Sequence, residues 1–190
     1  MTQNQPLPDH AELAAQIAGA ALLLGEFTLR SGRTSRYYLD KYRFSTRPEI
    51  LRPIGRLLAE CVRTIEGDAH PSGPIDRLAG AELGGIPLVT AASLETGLPT
   101  LLVRNAKKGY GTAQQLEGLR EPGERVVFIE DVATTAGQAL EAVGVLREAG
   151  LEVAAVVCVI DRQEGARENV EGAGLRFEAL FTKADLGVDE

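Results

Sequence analysis

The chain has 190 residues, few aromatics, no tryptophan and a formal net charge of −7 at pH 7. That length suits one domain with a sizeable core, and the acidic balance argues against nucleic acid as a partner, because phosphate backbones require basic surface. Cys61 and Cys158 lie in apolar segments without metal-ligand spacing and read as buried free thiols in a reducing cytosol. No basic-then-apolar leader pattern and no apolar run of membrane-spanning length occurs, so a soluble, intracellular protein is expected.

In chain order, residues 1–8 are polar with two prolines and read as a loose tail. Asp9 and Glu12 resemble a capping box, and Leu13, Ile17, Ala20, Ala21 and Leu24 recur at helical spacing, predicting a first helix that ends at Gly25. His10 reads as a surface residue near its start. In residues 26–43, EFTLRSGRTSRYYLDKYR, Phe27 and Leu29 alternate with polar residues, Ser31 and Gly32 make a turn, and Tyr37, Tyr38 and Leu39 form a second apolar stretch. That is a hairpin pattern outside the α/β alternation that follows. Thr46, Pro48 and Glu49 announce a second helix with Ile54, Leu57, Leu58, Cys61 and Ile65 on its inner face. Pro53 must lie in its first turns or kink it.

Residues 67–74, with His70, form a polar loop, and a short strand is predicted over 77–80. The stretch Ala81-Glu82-Leu83-Gly84-Gly85-Ile86-Pro87 then turns into a helix with Pro87 near its start. Thr100–Val103 reads as the next strand. Residues 104–123 make a long polar connection of a length that is usually functional or disordered inside a compact domain. Arg104, Lys107 and Lys108 cluster at its start, with Gly109 and Gly111 as candidate hinges; a dense basic cluster suits a small anionic substrate.

The most informative stretch is 126–140, VVFIEDVATTAGQAL. Val126, Val127, Phe128 and Ile129 read as a buried strand, Glu130 and Asp131 as its acidic end, and Thr134-Thr135-Ala136-Gly137 as a turn. A helix then begins, with Leu140, Val143 and Leu146 on one face and Gly150 as its stop. A hydroxyl-rich turn at a helix N-terminus can hold a phosphate, and carboxylates beside it can hold sugar hydroxyls or a hydrated magnesium ion. The ligand expected is one with both a phosphate and a ribose. Residues 153–160, VAAVVCVI, read as a strand buried on both faces, as at the centre of a parallel sheet. Asp161-Arg162-Gln163-Glu164-Gly165-Ala166 follows at its C-terminal end, where open α/β sheets bind ligands. A final strand is predicted over 176–181 and a short tail over 182–190.

The 126–140 stretch resembles the phosphoribosyl-pyrophosphate (PRPP) signature of type I phosphoribosyltransferases. The F-T-L-x-S-G-R-x-S-x-Y-Y string and the D-R-x-E-G-A string narrow the resemblance to the orotate phosphoribosyltransferases, over nearly the whole chain from Phe27. The resemblance implies an α/β fold, a parallel sheet flanked by helices with a small N-terminal hood. It implies one domain over 1–190, with hood elements in 1–45 plus the C-terminal tail and a core over 46–181. It implies transfer of the 5-phosphoribosyl group from PRPP to orotate, with Mg²⁺ held mainly through PRPP and water, in a cytoplasmic homodimer with shared sites.

By the same resemblance, Lys108, Arg104 and Asp131 are the catalytic candidates. PRPP contacts fall on Arg30, Arg104, Asn105, Lys108, Tyr110, Glu130, Asp131, Val132, Ala133, Thr134, Thr135, Ala136, Gly137 and Gln138. Orotate contacts fall on Tyr38, Leu39, Thr134 and Arg162, and Glu82, Leu83 and Gly84 form the loop that receives pyrophosphate. Tyr37 is read as packing between hood and core. The chain departs from the family pattern in having Arg30 for lysine, Asn105 for the second basic residue of a loop pair, Tyr110 for histidine and Ala136 for glycine. Two rival readings are a phosphoribosyltransferase for a purine or other base, and a non-catalytic PRPP-binding regulator.

Overall fold

A computed structural model of the chain describes residues 8–28, 32, 34–68, 73–105 and 115–188. The first helix, α1 (His10–Ala21), is capped as its sequence predicts: the Asp9 carboxylate accepts from Glu12 N at 2.7 Å. It stops at Ala21, short of the expected Gly25. Leu22 begins a strand, β1 (Leu22–Thr28), which pairs antiparallel with β2 (Thr34–Leu39), Leu22 opposite Leu39 and Leu24 opposite Tyr37. Cross-strand pairing outweighs the helical spacing that Leu24 completes. The register shifts between Leu24 and Phe27, as at a bulge.

Two helices follow, α2 (Lys41–Ser45) and α3 (Pro48–Asp68). Pro48 opens α3, where a missing N–H costs nothing, and Pro53 lies in its second turn. Next come β3 (Arg77–Ala81), α4 (Gly85–Thr96), β4 (Thr100–Val103) and β5 (Leu116–Glu117). The rest of the chain comprises β6 (Arg125–Ala133), α5 (Gly137–Glu148), β7 (Glu152–Asp161), α6 (Ala166–Gly172) and β8 (Arg176–Thr182).

Strands β3 to β8 form one six-stranded sheet in the order β5-β4-β3-β6-β7-β8, parallel throughout except for β5, which runs antiparallel to β4. Period-two alternation divides the core. Val127, Ile129 and Val157 face a cluster with Ile54, Leu58 and Leu88, whereas Val126, Phe128 and Val156 face one with Val143, Leu146 and Val170. Helices therefore cover both faces, and each fully buried Val, Ile or Phe contributes roughly 1.5–3 kcal/mol to holding them there. The fold is α/β, a mostly parallel sheet flanked by helices.

Three further expectations are corrected. The strand expected to end at Ile129 runs on through the acidic pair to Ala133, because Glu130, Val132 and Ala133 keep pairing with β7. On α5 the buried residues are Ala139 and Ala142 along with Val143 and Leu146, while Leu140 is only half-buried against the same cluster. The short tail contains a 3₁₀ turn, residues 184–186, that buries Leu186. Cys61 is half-buried, Cys158 buried, and both are free thiols.

Candidate active site

The C-terminal ends of β3, β6 and β7 lie together at one edge of the sheet. The Asp131 side chain is only 2% exposed, and Lys41 at the start of α2 reaches it, Nζ to Oδ2 at 2.8 Å. Its other oxygen accepts from Val132 N at 2.6 Å. A buried carboxylate needs such a partner, since an unpaired charge there is costly. Burial, and then the Asp131 charge beside it, push the Glu130 carboxyl up to about 8, with Lys41 pulling the other way. Burial alone would lower Lys41, but its contact with Asp131 outweighs this and holds the ammonium above its ordinary range. No local motif marks Lys41 in the sequence.

The expected pyrophosphate loop sits against this pair. A β-carbon on Gly84 would stand 1.7 Å from Asp131 Oδ2 and 3.2 Å from Lys41 Cε, so only glycine fits. The Glu82–Leu83 peptide is cis, Leu83 is exposed, and the Glu82 carboxylate accepts from Asn105 N at 2.8 Å. Arg104 is held by reciprocal bonds with Gln115, N to O at 2.8 Å and O from Nε2 at 2.8 Å, and stands 3.9 Å from Glu117. Lys41, Glu82, Arg104, Asn105, Glu130, Asp131 and Gln138 thus line one cleft, of about 580 Å³ counting space open to solvent.

The turn after β6 delivers α5 with its N-terminus bare. Its N-cap, Ala136, has φ 59° in the left-handed region and makes no side-chain cap; Gly84, the N-cap of α4, makes none either. The first amides of a helix without a cap are donors awaiting an acceptor, at the positive end of the helix dipole. Thr135, Gly137 and Gln138 are exposed there, Thr134 is half-buried, and Val132 and Ala133 are the strand's last residues. Asn169 on α6, another residue the sequence reading missed, donates to Thr135 O at 2.9 Å and braces the turn.

Arg162 follows β7, and its N–H donates to Ala133 O at 2.9 Å. Its side chain reaches the hairpin, where Nε and Nη2 donate to Tyr37 Oη at 3.2 and 2.9 Å, and Nη2 pairs with Glu164 at 2.9 Å. Tyr37 is buried between hairpin and sheet, as expected. Tyr38 is 46% exposed and tilted against Phe27, whereas the Leu39 side chain packs in the core, leaving only its backbone as a ligand contact. Arg30, Lys108 and Tyr110, with Lys107, Gly109 and Gly111, lie outside the described residues.

Among the described residues no cluster of three His, Cys, Asp or Glu side chains is placed to hold a metal. Glu130 and Asp131 are a pair of hard oxygen donors, a set that fits a hydrated Mg²⁺ reached through water and ligand oxygens better than an all-protein cage.

A mostly parallel sheet ending in a buried acidic pair, between two helix N-termini without side-chain caps, is a candidate site for a phosphorylated ribose. The family model described as a phosphoribosyl transferase domain matches residues 43–174. The orotate phosphoribosyltransferase of Methanocella arvoryzae is 47% identical over 87% of this chain and 90% of its own length; that of Methanosarcina acetivorans is 42% identical over 97% and 92%. Among solved structures, the Mycobacterium tuberculosis orotate phosphoribosyltransferase in complex with Fe(III) dicitrate is similar, with a TM-score of 0.82 and 35% identity over 95% of this chain and all of that one. The same enzyme in complex with PRPP gives 0.77 and 34% over the same shares. The chain belongs to the orotate phosphoribosyltransferase family.

Proposed function

We propose that this protein transfers the 5-phosphoribosyl group from PRPP to orotate, giving orotidine 5′-monophosphate and pyrophosphate, a step of pyrimidine nucleotide synthesis. The observation that carries the reading is the meeting, at one sheet edge, of two helix N-termini without side-chain caps and the Glu130–Asp131 pair, with Arg162 beside them. The chain works as one domain, with residues 1–45 and the C-terminal tail as hood and 46–181 as core.

The turn Thr134–Gln138 holds the 5′-phosphate on backbone amides and hydroxyls, with Val132 and Ala133 leading into it. Glu130 and Asp131 take the ribose hydroxyls, and the Asp131 carboxylate faces the ribose as positive charge grows on it. As the bond from the ribose carbon to pyrophosphate breaks and the bond to the orotate ring nitrogen forms, negative charge grows on the leaving group. Arg104 and Lys108 supply positive charge that stabilises it, Arg30, Asn105 and Tyr110 are further PRPP contacts, and Glu82, Leu83 and Gly84 receive the pyrophosphate. Mg²⁺, when bound with PRPP, supplies charge neutralisation at the pyrophosphate oxygens. Tyr38, the Leu39 backbone, Thr134 and Arg162 position the base; a guanidinium fork matches the orotate carboxylate. The protein acts in the cytoplasm as a homodimer with shared sites and has no nucleic-acid partner.

The test is direct. Purified protein is mixed with Mg²⁺, PRPP and orotate, following orotate consumption and pyrophosphate release, with purine bases in parallel. Turnover with orotate alone is expected. Turnover with a purine instead transfers the assignment to another base, and PRPP binding without turnover of any base makes the protein a regulator.

A further inference from the structure

Arg162 is fixed from three directions, and the hairpin supplies the least obvious of them. A guanidinium offers two hydrogen-bonding edges to planar acceptors, Nε–Nη2 and Nη1–Nη2. The Tyr37 hydroxyl accepts from both donors of the first edge, at 3.2 and 2.9 Å, and the Arg162 Cζ stands 4.9 Å from the Tyr37 ring centroid. The second edge is the one Tyr37 leaves to a carboxylate. Nη2, which the two edges share, also pairs with Glu164 at 2.9 Å, so the carboxylate of the base competes with Glu164 there. Tyr37 itself is held by Ser35, whose Oγ donates to Tyr37 O at 2.8 Å and lies 3.3 Å from Tyr37 N.

We infer that Tyr37 is a positioning residue for base recognition: its hydroxyl occupies the Nε–Nη2 edge of Arg162 and so turns the Nη1–Nη2 edge toward the carboxylate of the incoming base. The inference rests on the proposed reading that Arg162 receives the orotate carboxylate. A guanidinium whose first edge is unclaimed can rotate about its last side-chain bonds and present either edge, and recognition by two parallel bonds is then lost for part of the time. Tyr37 touches no substrate in this arrangement. It acts only through Arg162.

The experiment is steady-state kinetics on Tyr37→Phe, Arg162→Gln and the double variant. Phenylalanine keeps the buried ring and removes only the hydroxyl, and the KM for PRPP reports whether the site remains folded. Tyr37→Phe is expected to raise the KM for orotate roughly 10-fold, as for a lost bond to a charged group, with kcat and the KM for PRPP within about 2-fold of wild type. In the Arg162→Gln background the same change is expected to have no further effect. An orotate KM unmoved by Tyr37→Phe, or a full additional loss in the double variant, overturns the positioning role. An orotate KM unmoved by Arg162→Gln overturns the reading of Arg162 on which it rests.

Discussion

At Gly84 a single methyl group decides whether the Asp131–Lys41 ion pair can form. Its φ of −72° is ordinary for any residue, so Gly84→Ala acts by contact alone, driving a β-carbon into Asp131 Oδ2 and separating it from Lys41. The expected result is a loss of about 100-fold in kcat/KM, the scale of a misplacement near 1 Å, measured in the PRPP and orotate assay. Glu130 gives a pH signature. A carboxyl raised from 4.5 to about 8 contributes stability that is complete below 4.5 and is lost as pH rises through about 8. The Tm of Glu130→Gln relative to wild type is therefore expected to climb between those two values and level off above; parallel melting curves from pH 4 to 9 would mean an ordinary carboxylate. The acidic residues were legible because they stand beside each other ahead of a Thr/Gly-rich turn. Lys41 was not, because its partner is Asp131, brought near only by the fold, and a lysine after Asp40 carries no signature of its own.

The elements show where local pattern suffices and where it does not. Strand β6, the turn after it and α5 were readable as a unit because apolar run, hydroxyl turn and helical spacing follow directly in the chain. The start of β1 was hidden, since Leu22 and Leu24 fit a helix until Leu39 and Tyr37 pair with them. The two residues of β5 were also hidden, as they are strand only by virtue of β4 beside them. Ala136 offers the test at this scale. As N-cap of α5 it holds φ 59°, a conformation that costs an L-residue about 1–2 kcal/mol. Ala136→Gly, the residue of the family pattern, should stabilise the protein by about 1 kcal/mol after the entropy lost by glycine, read as a rise in denaturation midpoint with no change in slope. A fall in midpoint would mean that the Ala136 methyl, buried against α5, contributes more than the strain removes.

In the whole molecule, α1 closes the structure by reaching its far end. The His10 ring stacks on Phe181 at 4.5 Å, His10 Nε2 meets Leu180 O at 2.8 Å, and Leu13 and Ile17 share a cluster with Phe181, Leu186 and Val188. The order of strands in the sheet was not read from the sequence, and neither was this closure, which joins residues at opposite ends of the chain. It sets a timetable for synthesis. The helix that leaves the ribosome first finds part of its docking surface only when β8 leaves last, so the hairpin carrying Tyr37 waits with it. Nascent chains stalled before residue 176 should be cleaved readily by protease within residues 8–45, and chains released whole should resist. Equal resistance in both would mean that α2 and α3 alone seat the helix. Cleavage confined to the stalled chains would show birth order and folding order running in opposite directions, with the hairpin end made first and seated last.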